Sequence, residues 1–205
     1  MYLIKTPFWL RLLYPTLTWR KLNDTKTIFI TFDDGPIPNV TPFVLNSLKE
    51  YNAKATFFCI GDNIRKHPDI FSEVAEAGHA IGNHTFNHLR GWDTDDDVYV
   101  DNALQCHQLV ASHLFRPPHG RIKKSQIRKL CAVIPDLEII MWDVLSGDFD
   151  QQLSPENCLK NVLRTTEPGS IVVFHDSLKA FDRLQYTLPR ALAAWKEKGY
   201  QFGTL

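Results

Sequence analysis

Five short stretches of the chain carry residue types that can do chemistry. Asp33-Asp34 heads them. Two adjacent acids can divide two tasks, one holding a cation while the other handles a proton. Like charges this close raise one pKa unless a cation neutralises them. Asp33-Asp34-Gly35-Pro36 is equally an ordinary turn. His84-Thr85-Phe86-Asn87-His88 comes second. Residues four apart share one face of a helix, so both imidazoles would reach one ion. One surface and one core histidine would show the same spacing. Two histidines with one carboxylate form a common open site for zinc or another first-row metal, leaving positions for water and substrate. Arg116-Pro117-Pro118-His119-Gly120 is a cation followed by a rigid turn. It either places a guanidinium and a backbone N–H or is a stiff surface loop. The last two stretches, Trp142 to Phe149 and Val172 to Ser177, set Asp143, Asp148, His175 and Asp176 beside apolar runs.

Those residues need a frame, and the apolar runs supply it. Thr27 to Phe32, Ala55 to Ile60, Leu137 to Trp142 and Ser170 to Phe174 are short, rich in β-branched and aromatic residues, and bounded by turn residues, as strands are. Helical spacing falls between them. Thr41-Pro42 opens one helix carrying Val44, Leu45, Leu48 and Tyr51. Phe71, Val74 and Ala75 mark a second, closed by Gly78. Val98 to Leu114 predicts a third and Ser125 to Ala132 a fourth. Ser154-Pro155 caps a fifth, and the last runs from about Thr187 to Lys198. Buried strands alternating with helices predict an α/β protein with a largely parallel sheet. In such folds functional side chains gather at the carboxyl ends of the strands. Asp33, Asp34, Asp143, Asp148, His175 and Asp176 all follow predicted strands.

Composition narrows the field. The chain has 205 residues, 44% hydrophobic and 22% charged, with 23 basic and 23 acidic side chains. That suits one soluble domain and gives no basic surface for nucleic acid. Cys59, Cys106, Cys131 and Cys158 lie far apart, so neither a zinc ribbon nor a redox pair is indicated, and reduced thiols are expected. Residues 1–24 carry aromatics and basic residues but no run long enough to span a membrane. They are expected to pack on the domain formed by 25–205. An interfacial anchor is the alternative. With no visible signal peptide, a cytoplasmic or membrane-peripheral protein is expected rather than a secreted one.

Taken together, the motifs resemble those of the polysaccharide deacetylases, the NodB-homology carbohydrate esterases of family four. Thr31-Phe32-Asp33-Asp34-Gly35-Pro36 is similar to their first motif and His84-x-x-x-His88, within Gly78 to Thr85, to their second. Ala55-Thr56-Phe57-Phe58 also matches. Arg116 to Gly120, Asp148-Phe149 and Val173-Phe174-His175 resemble the third, fourth and fifth, in the family's order. The resemblance covers about residues 25–203 and implies a distorted (β/α) barrel, TIM-barrel-like, with about seven parallel strands. It implies that Asp34, His84 and His88 bind a divalent metal, zinc first, with Co2+, Ni2+ or Mn2+ as alternatives. It implies that Asp33 is the general base, oriented by Arg116. The backbone N–H of His119 would help hold the oxyanion, and His175, positioned by Asp148, would be the general acid. Pro117, Pro118, Leu145, Phe149 and Val173 would line the acetyl and sugar pocket.

The implied reaction is removal of acetyl groups from an N-acetylglucosamine-containing glycan, with the acetylated carbohydrate as partner. An O-acetyl esterase, a small-amide hydrolase and a non-catalytic carbohydrate-binding relative stay open. Departures from the family pattern cluster in the pocket. Leu145 replaces the first acid of the fourth motif and Phe149 its tryptophan, Val173 stands for a leucine, and His119 stands for an aromatic.

Overall fold

The structure, a computed structural model, describes residues 2–21 and 25–205. The expected boundary at 24/25 touches residues outside that range. The first strand sets the pattern. β1 (Thr27–Asp33) is buried at every position, as a strand covered on both faces must be. Its alternation sends Ile28, Ile30 and Phe32 into the layer beneath the helices and Phe29 toward the barrel interior. In the outer layer Phe32 stacks on Phe57 and Phe174 of the flanking strands, with ring centroids 5.0 and 5.9 Å away.

Helices and strands then alternate. α2 (Val40–Glu50), β2 (Thr56–Cys59), α3 (Gly61–Lys66), α4 (Pro68–Glu76) and β3 (Ala80–Asn83) follow β1. Next come α5 (Asp96–Val110), β4 (Leu114–Phe115), α6 (Lys124–Val133), β5 (Glu138–Ile139) and β6 (Val144–Leu145). The chain ends with α7 (Pro155–Thr165), β7 (Ile171–His175), α8 (Phe181–Glu197) and β8 (Gln201–Gly203). All pairings between these strands are parallel, in the order β5-β4-β3-β2-β1-β7-β6, with β8 added to β1. The expected distorted barrel of about seven parallel strands is present, and β8 is an eighth.

Three elements differ from their sequence signals. The predicted third helix stops at Val110, where Ala111 turns left-handed (φ 45°), and Leu114 belongs to β4. The last helix starts at Phe181 and carries Pro189 inside it. A proline usually opens a helix, so the sequence pattern began the helix too late. The Leu137–Trp142 run yields only the two-residue β5.

The gap between β5 and β6 is filled by the N-terminal residues. Thr18 N–H donates to Ile139 O at 2.9 Å, and Met141 N–H donates to Thr18 O at 2.7 Å. On the β6 side, Thr6 N–H donates to Asp143 O and Leu145 N–H to Ile4 O, both at 2.8 Å. Asp143, fully buried, clasps this segment. It accepts from Lys5 Nζ at 2.8 Å and Ser170 Oγ at 2.6 Å, and it pairs with Arg11 and, at 3.7 Å, Arg20. Asp143 therefore sits at the amino end of β6 and is no part of the catalytic cluster, contrary to its expected strand-end placement. Leu17 and Trp19 are buried, while Phe8, Trp9, Leu12 and Leu13 of α1 (Phe8–Leu13) are exposed. All four cysteines are free. No helix among the described residues is long and apolar enough to cross a membrane.

Candidate active site

Four strand ends converge on one cleft. Asp33 ends β1 and Asp34 follows it, His84 follows β3, Arg116 follows β4 and His175 ends β7. Asp34, His84 and His88 each offer a ligand atom within 4.8 Å of the others. Asp34 Oδ1 lies 3.8 Å from His84 Nε2 and 3.3 Å from His88 Nε2. It is buried and, among the described residues, has no hydrogen-bond partner. A buried carboxylate oxygen without a donor is costly, and a cation between these three atoms would remove that cost. His84 Nδ1 is engaged by Arg116 O at 2.8 Å, which leaves Nε2 facing Asp34. Burial, then the neighbouring His88, holds the His84 pKa well below its ordinary value. A neutral imidazole is the form that ligates metals.

The two histidines do not share a helix face, contrary to expectation. His84 leaves the end of β3, and the chain turns through left-handed residues at Thr85 (φ 63°) and His88 (φ 57°). Asn102 on α5 fixes this loop, its Oδ1 accepting from Phe86 N–H at 3.0 Å and Asn87 N–H at 2.9 Å. Asp34 (φ 88°) and His119 (φ 57°) are also left-handed. Such residues cost about 1–3 kcal/mol each and gather where function requires them.

Asp33 is held from below. Arg116, fully buried, donates from Nη1 to Asp33 Oδ1 and to Thr31 Oγ1, both at 2.7 Å. Its remaining nitrogens reach the Ile140 and Met141 carbonyls at 3.3 and 3.0 Å, and its guanidinium lies 4.1 Å from the Phe58 ring centroid. Among the described residues no group donates to Asp33 Oδ2. Asp176 lies behind this loop and not in the cleft. It accepts from Gly35 N–H at 3.0 Å and Thr41 Oγ1 at 2.6 Å. Burial raises its pKa to about 8 against the Thr41 bond, with Asp34 adding to the rise. A Cβ on Gly35 would come within 1.9 Å of Asp176 Oδ2, so only glycine fits there.

Across the cleft, His175 Nδ1 meets Asp148 Oδ1 at 2.7 Å, and its backbone N–H donates to Asp148 Oδ2 at 2.7 Å. Arg183 on α8 anchors the Asp148 carbonyl at 2.7 Å. Burial alone would lower the His175 pKa. The Asp148 charge and hydrogen bond outweigh it, with smaller help from Asp34 and Asp33, and raise it to about 9.

The sequence model described as polysaccharide deacetylase matches residues 20–132, more than half of the chain. The chain belongs to the polysaccharide deacetylase family. By class it is a carbohydrate deacetylase, a hydrolase. A peptidoglycan-N-acetylglucosamine deacetylase of Bacillus cereus is 33% identical over 195 residues, covering 92% of this chain and 91% of the relative. A chitooligosaccharide deacetylase of Azorhizobium caulinodans is 33% identical over 193 residues, 91% of this chain and 86% of its own. The crystal structure of a peptidoglycan N-acetylglucosamine deacetylase superimposes with a TM-score of 0.88 at 30% identity, covering 98% of this chain and 95% of the other.

In this deacetylase the cleft encloses about 620 Å3 and is lined by Asp33, Asp34, His84, His88, His119 and His175, with Leu145, Phe149 and Val173 among the apolar walls. Pro117 and Pro118, expected in the substrate pocket, are buried and do not line it. Their carbonyls accept from Gly120 and Arg121 N–H at 3.0 and 3.1 Å, so they shape the turn that carries His119. The His119 imidazole also faces the cleft, 4.6 Å from the His88 ring, where burial and then His88 lower its pKa. Sequence reasoning missed Tyr2, Arg90, Arg121, Trp142, Ser177 and Lys179 in the lining. Trp142 and Ser177 stood inside quoted stretches, and Tyr2 carried no local signal at all.

Proposed function

We propose that this deacetylase removes the acetyl group from N-acetylated glucosamine residues of a glycan and releases acetate. The carrying observation is the unpartnered, buried Asp34 Oδ1 facing two imidazoles, with the Arg116-held Asp33 carboxylate and the Asp148-paired His175 in the same cleft. Two imidazoles and one carboxylate suit zinc first, and also Co2+, Ni2+ or Mn2+. A divalent ion held by Asp34, His84 and His88 would polarise the acyl carbonyl and acidify water beside it.

The chain's own groups carry the protons. Asp33, fixed through Oδ1 by Arg116, accepts a proton from the attacking water on Oδ2. The water oxygen bonds to the acyl carbon, and the backbone N–H of His119 donates to the developing oxyanion. The C–N bond then breaks, and His175 gives its proton to the departing nitrogen. A positioned acid of this kind is worth ~10²–10⁴-fold. Amines leave poorly unless protonated, and an imidazole held at about 9 by Asp148 stays charged near neutral pH. That favours N-acetyl over O-acetyl substrates, since an alkoxide leaves with less help. Leu145, Phe149 and Val173 form the walls against which acetyl and sugar pack.

Acetate release from matched N-acetyl and O-acetyl oligosaccharides, with and without chelator, tests this. Release from the N-acetyl series that chelator abolishes and metal restores is the expected result. Chelator-insensitive release, or release from O-acetyl sugars alone, would overturn it.

A further inference from the structure

Tyr2 lies far from every motif in sequence, yet it lines the cleft. The route is visible in the backbone. Lys5 pairs antiparallel with Val144, and hydrogen bonds join Thr6 to Asp143 and Ile4 to Leu145. Read backwards from Thr6, the chain therefore climbs beside β6 to the carboxyl end of the barrel, where His175 stands. Tyr2 arrives there and packs against Phe149, with ring centroids 5.0 Å apart and planes tilted at 58°. Phe149 in turn meets the His175 ring edge-on at 5.3 Å.

The Tyr2 ring is fixed in place. Its hydroxyl donates to Asp150 Oδ2 at 2.9 Å. Gly147 (φ 83°) makes room for it, because a Cβ there would lie 3.0 Å from the Tyr2 oxygen and 2.9 Å from Leu153. Neither Tyr2 nor Phe149 belongs to any of the three core clusters, and both stay half-buried on the cleft wall. Two rigid aromatic rings on the wall of an open cleft, one with its hydroxyl already tied down, offer apolar area at low entropic cost. The apolar C–H faces of a pyranose ring are the complementary surface.

We propose that Tyr2 forms an aromatic subsite for the pyranose ring adjoining the sugar that is deacetylated, so that the N-terminal segment sets how tightly the neighbouring sugar is held. This rests on the deacetylase reading above. Phe149, beside His175, holds the reacting sugar, and Tyr2, one ring further out, holds its neighbour.

The test compares wild type with Tyr2→Ala and Tyr2→Phe on two substrates. One is a tetrasaccharide of N-acetylglucosamine, followed by acetate release and by calorimetric binding. The other is an aryl acetate, which has no second sugar. Tyr2→Ala should raise KM and weaken calorimetric binding of the tetrasaccharide about five-fold, with kcat and aryl acetate turnover unchanged. Tyr2→Phe keeps the ring and should stay within about two-fold of wild type. Unchanged tetrasaccharide affinity in Tyr2→Ala overturns the subsite. So does an equal loss on both substrates with a lowered Tm, which marks a packing role. Tyr2-dependent tetrasaccharide binding without any acetate release would overturn the deacetylase reading and leave the subsite standing.

Discussion

Replacing Asp148 with asparagine keeps the side chain's size and removes its charge. In the folded protein Asp148 supplies the largest upward pull on His175, through its charge and through the 2.7 Å bond to Nδ1. Burial pulls the other way and is the largest single influence. With Asp148 neutral, Asp33 and Asp34 are left to oppose burial, so the imidazole should fall from about 9 to about its ordinary 6.5. At pH 8 the protonated fraction then drops from about 0.9 to about 0.03, a roughly 30-fold loss of working acid. At pH 5.5 both forms are protonated, and the difference shrinks to near one-fold. The ratio of wild-type to Asp148→Asn kcat/KM for acetate release from an N-acetylated oligosaccharide, measured across this range, isolates the effect, because other titrations divide out. The ratio should climb from near 1 at acid pH to about 30 at pH 8. An aryl acetate, whose leaving group needs no proton, should show little of the climb. A ratio that stays flat with pH would refute the assignment of His175 as an acid held charged by Asp148.

Asp34→Ala, His84→Ala and His88→Ala should each lose bound metal by elemental analysis, and full occupancy in all three would remove the ligand assignment. Asp33→Asn should retain the metal while kcat falls by about 10² or more, and a kcat within a few-fold of wild type would exclude Asp33 as base. Asp143→Ala leaves Lys5, Arg11 and Arg20 around an empty place, and it should lower unfolding free energy by about 3–5 kcal/mol in denaturant titrations. A loss below about 1 kcal/mol would show that the N-terminal clasp is not what holds the seam. The raised His175 pKa stabilises the fold fully below pH 6.5, and that contribution is lost as pH rises through about 9. Unfolding free energy should therefore fall by up to ~3 kcal/mol over that span in wild type and much less in His175→Gln.

How much of this was legible in sequence depended on whether the cause was local. The strands Thr27–Asp33, Thr56–Cys59 and Ile171–His175 announce themselves, because a parallel strand buried on both faces is apolar along its length. The short β4, β5 and β6 do not, since a two-residue pairing leaves no period to read. The i,i+4 spacing of His84 and His88 suggested a helix, but it is a loop whose left-handed turns are enforced by Asn102 from another element. The motif resemblance puts Pro117 and Pro118 in the pocket, yet both are buried and their carbonyls hold the turn that carries His119. Asp143 and Asp148 stand five positions apart in similar surroundings, and in sequence only the motif resemblance at Asp148-Phe149 separates them. Their roles are set by what the fold delivers to each, three cations of the N-terminal segment to one and the His175 imidazole to the other.

The Arg116–Asp33 pair shows why the interior of this barrel is not simply apolar. Two buried charges are a poor source of stability, and well-packed apolar residues of similar volume would often do as well or better. What the pair supplies is position. Arg116 spends one nitrogen on both Asp33 and Thr31 and the others on the carbonyls of Ile140 and Met141, so the guanidinium is tied to β1 and to the chain just past β5 at once. Its own carbonyl orients His84. One residue therefore links the proposed base to a proposed metal ligand, and a shift in β4 would move both together. A carboxylate held this way needs no reorganisation when charge develops beside it, which is where fixed dipoles are worth most. Arg116→Lys keeps the charge but cannot make these divergent contacts. It should lower kcat by more than it raises KM while metal binding weakens in parallel, and a variant that loses turnover with metal affinity untouched would show that the two halves of the site are independent.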